Sequence, residues 1–146
     1  MAIPSRKELL NWANNYVKFW NAGDREAWID NWRSVAPGEF RMLDRVGTPE
    51  KFGFQELLDA WDLFQPIDKF RFVENSLFVC GNEVAWFLEN HITRDGETYI
   101  GYSIETYRFE EDGSVAIRTY YDVPARTDDE LGEAFKTYLP ENEGAE

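Results

Sequence analysis

ETYIGYSIETYRFEEDGSVAIRTYYDV, residues 97–123, reads as two long β-strands folded back on each other. Aromatic and β-branched residues alternate with smaller or polar ones, the period of a strand with one buried face. Asp112-Gly113 lies between the two runs, and such a pair is a strong hairpin signal because glycine accepts the backbone conformation a tight turn requires. Upstream, DKFRFVENSLFVC (68–80) and EVAWFLENHITR (83–94) carry the same period, separated by Gly81-Asn82 and followed by Asp95-Gly96. Four long antiparallel strands are expected over residues 68–123.

The period is different before residue 68. Ser5-Arg6-Lys7-Glu8 has the spacing of a capping box, in which hydroxyl and carboxylate satisfy each other's free backbone N–H groups. Leu9, Ala13, Tyr16, Val17 and Trp20 then recur at helical spacing. Gly23 suits the left-handed closing position and Asp24 can cap a second helix at once. That helix presents Trp28, Ile29 and Trp32 before Pro37-Gly38 ends it. EFRMLD (39–44) is a short extended run. Phe54, Leu57, Leu58, Trp61 and Phe64 mark a third helix that stops at Pro66. Helices followed by a meander make an α+β fold. Thr127-Asp128-Asp129-Glu130 reads as another capping box, opening a short helix with Leu131, Phe135 and Tyr138. The acidic tail, about residues 140–146, is expected to be disordered. With no internal repeat or linker, residues 1–146 are expected to form one domain.

The chain has 28 acidic against 15 basic residues, a net charge of −13. Such a surface repels phosphate backbones and anionic membranes, so neither nucleic acid nor membrane is an expected partner. Hydrophobic residues make up 43% and aromatics 16%, enough for a real core and suited to flat apolar ligands. A single cysteine, Cys80 in an apolar run, excludes an internal disulfide and is expected to act as a small hydrophobe. One histidine and no suggestive carboxylate spacing predict no metal site, and no cofactor is expected. The start of the chain lacks a signal-like apolar stretch, so a cytoplasmic location is expected.

Three strings, YVKFWNAGD (16–24), LDRVGTPEKFG (43–53) and IETYRFEEDGSV (104–115), together with the order of elements, resemble the nuclear transport factor 2-like (SnoaL-like) superfamily. Within it the chain is most similar to the ketosteroid isomerases. The resemblance covers roughly residues 5–123. It implies a cone: a curved antiparallel sheet wrapped by N-terminal helices, an α+β barrel with a pocket inside. It also implies catalytic residues. Asp44 stands where those enzymes have the base that moves a proton beside a ketone. Tyr16 and Glu105 stand where they have donors to the oxygen that becomes an enolate. Glu105 is one methylene longer than the usual aspartate. Arg45 replaces a usual proline and, if turned inward, would depress the Asp44 pKa. Trp32 and Trp61 stand where some isomerases have supporting tyrosines. Leu88, Asn90 and Ser103 are implied to face inward, and so are Arg118, Tyr120 and Asp122 on the last strand. These eight are the candidate substrate-binding residues.

Taken singly, each catalytic candidate has an ordinary explanation. Tyr16 on an apolar helical stripe is commonly core, Asp44 can cap a strand end, and Glu105 can be an exposed sheet residue. His91, out of phase with Leu88, Asn90 and Ile92, is expected on the outer face. Trp86, Tyr102, Ile104, Thr106 and Ile117 are also read as outer, and that much apolar surface predicts a homodimer. The leading expectation is a cofactor-independent proton-transfer enzyme (isomerase, dehydratase or lyase) acting on a small hydrophobic, oxygenated aromatic, polyketide-like or steroid-like substrate. A non-catalytic small-molecule-binding domain and a purely structural dimerisation domain are the alternatives.

Overall fold

The computed structural model describes residues 2–121. Asp122, the capping box at Thr127, the helix after it and the acidic tail therefore lie outside the described residues. Three helices, α1 (Arg6–Ala22), α2 (Arg25–Val35) and α3 (Phe54–Phe64), accompany seven strands: β1 (Phe40–Asp44), β2 (Lys51–Phe52), β3 (Asp68–Phe72), β4 (Phe78–Cys80), β5 (Glu83–Arg94), β6 (Glu97–Phe109) and β7 (Val115–Tyr121). The sheet runs β2-β1-β7-β6-β5-β3, with β4 also on β5. All its pairs are antiparallel except β1 with β7. Its two ends do not pair, so it forms an open cone rather than a closed barrel.

The helix boundaries follow the expected local chemistry. Ser5 accepts from the Glu8 N–H while Glu8 accepts from the Ser5 N–H, the complete capping box. Gly23 closes α1 at φ 70°, and the Asp24 side chain accepts from the Ala27 N–H to open α2. The α2–β1 connection is fixed by a close backbone approach. The Gly38 N–H donates to the Gly113 carbonyl at 2.8 Å, and a Cβ on Gly38 would meet Gly113 backbone atoms at 2.8 Å. Only glycine fits there, and the contact sets β1 beside β7.

Residues 68–80 are not the single strand expected. β3 pairs Phe72 with Leu88, whereas β4 pairs Phe78 with Ala85. Six residues of one strand thus pass three of the other, and the odd shift reverses which side chains face the core. Phe72 packs on Trp86 inside, while Phe78 is exposed. The excursion turns at Asn75, with φ 58°, and Ser76 anchors it to the Phe87 backbone. Cys80, flipped outward with Phe78, is exposed rather than a core hydrophobe.

The core centres on Trp12, whose ring lies 4.9–5.3 Å from those of Trp32, Trp86, Tyr107 and Phe109. Edge-to-face pairs of this kind contribute about 0.5–1.5 kcal/mol each beyond area burial. Trp86 and Ile117 belong to this interior, 1% and 5% exposed, not to the outer face on which the sequence reading placed them. Phe87, Tyr102, Ile104 and Tyr120 form that outer face instead. His91 is half-buried on it, its Nε2 3.0 Å from Glu89. No helix among the described residues is long and apolar enough to cross a membrane.

Candidate active site

α1 delivers Tyr16, β1 ends on Asp44, and β6 contributes Glu105, and all three line one cavity inside the cone. Trp28 and Trp32 of α2 and Trp20 of α1 supply aromatic wall, and α3 adds Leu57 and Phe64. The space between the walls, solvent at the mouth included, is about 530 Å³, but the room left for water-sized molecules is only about 50 Å³. An apolar cavity that takes up benzene measures about 150 Å³. The walls as they stand are therefore too close even for one six-membered ring, and any organic ligand requires side chains to shift.

The substrate-binding candidates divide into three groups. Trp32 and Asn90 line the cavity; Trp61, Leu88 and Ser103 are buried behind it. Trp61 packs at 4.9 Å on Trp28, and Ser103 accepts a hydrogen bond from Asn90 Nδ2 at 2.9 Å. Arg118 and Tyr120 do not face the cavity, contrary to what the resemblance implies: both are exposed, and they hydrogen-bond to each other on the outer face. The β6–β7 hairpin pairs Glu105 with Thr119 and Tyr107 with Ile117, and directly paired residues share a face. The inward residues of β7 are thus Val115, Ile117, Thr119 and Tyr121, of which the last three line the cavity.

Two further residues are central to the site. The Tyr107 hydroxyl donates to Glu105 Oε2 at 3.0 Å and is also hydrogen-bonded to Tyr16. Glu105 Oε1 accepts from Trp86 Nε1 at 2.9 Å. Tyr107, rather than Trp32 or Trp61, therefore supports Tyr16. Asp68, at the start of β3, is the third acid on the cavity wall and is 8% exposed. Its strand is stitched to α1: Trp20 Nε1 donates to the Asp68 carbonyl at 2.9 Å, and the Asn21 side chain makes two 2.8 Å bonds to the Phe70 backbone.

Burial governs the electrostatics. Asp44 is half-buried as a residue, yet its Oδ1 is out of contact with solvent. Removing its charge from water raises its pKa to about 6, against the downward pull of Lys51 and then Arg45. Arg45 thus acts in the expected direction, but desolvation outweighs it. Glu105 rises to about 7, through burial first; the Trp86 and Tyr107 hydrogen bonds oppose the rise and the Asp44 charge adds to it. Asp68 rises to about 8 through burial and then Glu105, with Lys69 opposing. The Tyr16 hydroxyl is pushed well above its ordinary value by burial and by Glu105, so it stays a donor. Four buried polar atoms on lining residues have no hydrogen-bond partner among the described residues: Asp44 Oδ1, Asp68 Oδ1, and the indole nitrogens of Trp28 and Trp32. Each unmet buried group costs about 1–3 kcal/mol. No three acidic, histidine or cysteine side chains among the described residues are grouped so as to hold a metal ion.

No protein-family model matches the sequence and no curated protein does. Solved structures do match the fold. The Mycobacterium tuberculosis protein RV0760c superposes with a TM-score of 0.63 at 18% identity, over 82% of this chain and 95% of that one. The same protein, in complex with estradiol-17beta-hemisuccinate, gives 0.61 at 18%, over 80% and 95%. A protein from Jannaschia sp. CCS1 named as a SnoaL-like polyketide cyclase gives 0.64 at 16%, over 82% and 90%. A computationally designed 17-OHP binder gives 0.61 at 20%, over 80% and 92%. Helices, sheet order and these neighbours agree: the chain has the fold of the nuclear transport factor 2-like, or SnoaL-like, superfamily.

Proposed function

We propose that the cavity binds a small oxygenated organic molecule and moves a proton beside its carbonyl without a cofactor, as an isomerase, dehydratase or lyase does. The observation that carries this reading is the gathering of three buried carboxyls, with pKa values raised to about 6, 7 and 8, around one aromatic cavity. Perturbed acids in a cleft are characteristic of proton-transfer sites. Asp44 is the base. Its pKa lies just below neutral, so it is mostly ionised yet more basic than an exposed aspartate, the compromise that general-base catalysis favours. Tyr16 donates to the oxygen on which charge develops, for which Tyr107 turns its own proton from Glu105 to the Tyr16 oxygen. Glu105 positions this pair and, when protonated, adds a second donor. Solved structures of the same fold name steroid ligands, but the free volume here is so narrow that even a one-ring ligand must displace side chains, which favours small ligands.

The test is proton exchange at carbons beside the carbonyl of small ketones, followed by NMR in deuterated water. Wild type is expected to exchange them and Asp44→Asn, shown by circular dichroism to be folded, is not. A folded Asp44→Asn protein that exchanges as fast as wild type overturns the base assignment. The second reading is a binding domain without chemistry. It is favoured by the Glu105 oxygens, both of which already accept bonds inside the protein. Ligand binding without exchange would select it.

We also infer a homodimer through the outer sheet face. Phe87, Tyr102, Ile104 and Tyr120 are 37–49% exposed on adjacent strands, a contiguous apolar surface of the kind that marks an interface.

A further inference from the structure

We propose that Asp68 is a second ligand-binding carboxyl, hydrogen-bonding an oxygen at the end of the ligand remote from Asp44, so that the cavity selects small molecules with oxygen at two separated positions. This rests on the reading of the cavity as a ligand site. In the sheet, β7, β6 and β5 lie between β1, which carries Asp44, and β3, which carries Asp68. Four strand spacings amount to about 19 Å along the sheet surface. Both residues nevertheless line the same cavity, because the sheet curves, so they approach a ligand from opposite walls with Glu105 between them. Asp68 Oδ1 is buried without a partner among the described residues, as is Asp44 Oδ1 at the other wall. Native proteins leave few buried polar groups unmet, and a ligand site is where such groups find their partner. Its backbone is not free to turn away, since Trp20 and Asn21 hold β3 against α1.

The surroundings set its protonation. Lys69, the next residue, is exposed on the opposite face of the strand. The titratable groups that act on Asp68 or feel its charge from other elements are Glu105, Tyr16 and Tyr121, none of them a cation. Asp68 is accordingly neutral near pH 7, with a pKa of about 8, and a neutral carboxylic acid donates to a carbonyl or hydroxyl oxygen. Asp44, at about 6, is mostly ionised at that pH. Two carboxyls in opposite states at the two ends of one ligand form an acid–base pair.

Phenol and the three dihydroxybenzenes test this by calorimetric titration near pH 7, because they differ only by one hydroxyl and its position. In wild type the best dihydroxybenzene is expected to bind about tenfold more tightly than phenol. The preference should fall to about threefold in Asp68→Asn, whose amide still donates, and vanish in Asp68→Leu. The proposal is overturned if wild type shows no preference, if none of the four binds, or if Asp68→Asn keeps the full preference. That last outcome decides even if Asp68→Leu fails to fold. The comparison needs no turnover, so a preference that depends on Asp68 in a protein inactive towards ketones would stand while the catalytic reading fell.

Discussion

The two faces of the central strands are similarly rich in aromatic residues but treat polar groups differently. On the outer face polarity is settled locally: Glu89 meets His91 and Arg118 meets Tyr120. On the inner face it is not. Glu105 and Tyr107 satisfy each other, yet Asp44 and Asp68 each keep a buried oxygen without a partner among the described residues. A face whose polar groups are paired and whose remaining surface is apolar suits another protein surface. A face that holds polar atoms in reserve inside an enclosed space suits a small ligand. The same strands serve both because side chains alternate.

Substitutions on each face should therefore act separately. The largest effect expected is from Asp44→Asn, which should slow ketone proton exchange roughly a hundredfold to ten-thousandfold while sedimentation shows the oligomeric state unchanged. Ile104→Asp is the opposite probe: a charge in the apolar outer patch should convert a dimer to monomer at micromolar concentration and leave phenol affinity alone. A wild-type protein that sediments only as monomer would remove the interface.

Stability should also depend on the inner face. Asp44, Glu105 and Asp68 hold their protons more tightly folded than unfolded, with folded pKa values near 6, 7 and 8 against ordinary values near 4. The folded chain carries the extra protons between about pH 4 and pH 8, so stability should fall as pH rises through that window. Each pKa unit corresponds to about 1.4 kcal/mol. Thermal melts at pH 5 and pH 9 measure it, and Asp68→Asn should flatten the upper part of the decline. A melting temperature that does not fall with pH would mean that the acids are hydrated.

Tyr16→Phe should weaken phenol binding by about 1–3 kcal/mol, the cost of one unmet buried hydrogen bond. Unchanged affinity would return Tyr16 to the core. Glu105→Gln should matter least. Its amide oxygen can still accept from Trp86, and its NH₂ can donate to the Tyr107 oxygen while that hydroxyl turns wholly to Tyr16. A Gln variant weaker than Tyr16→Phe would mean that the carboxyl itself touches the ligand.

Much of the fold was legible because its punctuation is local. The Ser5 capping box, the left-handed Gly23 and the Asp-Gly turns each act within a few residues. Tyr16, Asp44 and Glu105 were brought to notice by resemblance, and the structure places them in one cavity. What the sequence leaves hidden turns on strand parity and on contacts between distant residues. The resemblance implies that Arg118 and Tyr120 face inward, but pairing across the Asp112-Gly113 turn puts odd-numbered residues of β7 on the Glu105 face. Asp68 reads as an ordinary strand start, yet it is in phase with Phe70 and Phe72, while Lys69 and Arg71 take the other face. The three-residue excursion before β4 carried a weaker signal, in Asn75 and Ser76. Tyr107 could be placed inward from Glu105, but its bond to Tyr16 joins residues far apart in the chain.

The acids around the cavity have a practical consequence for anyone measuring heat. Their pKa values of about 6, 7 and 8 bracket neutrality, so a ligand that prefers one form of any of them must exchange protons with the solution as it binds. The observed enthalpy will then include the ionisation heat of the buffer, and titrations in phosphate and in Tris should disagree. The slope of that disagreement counts the protons taken up or released. It would report which way the cavity's charge moves before any substrate has been identified.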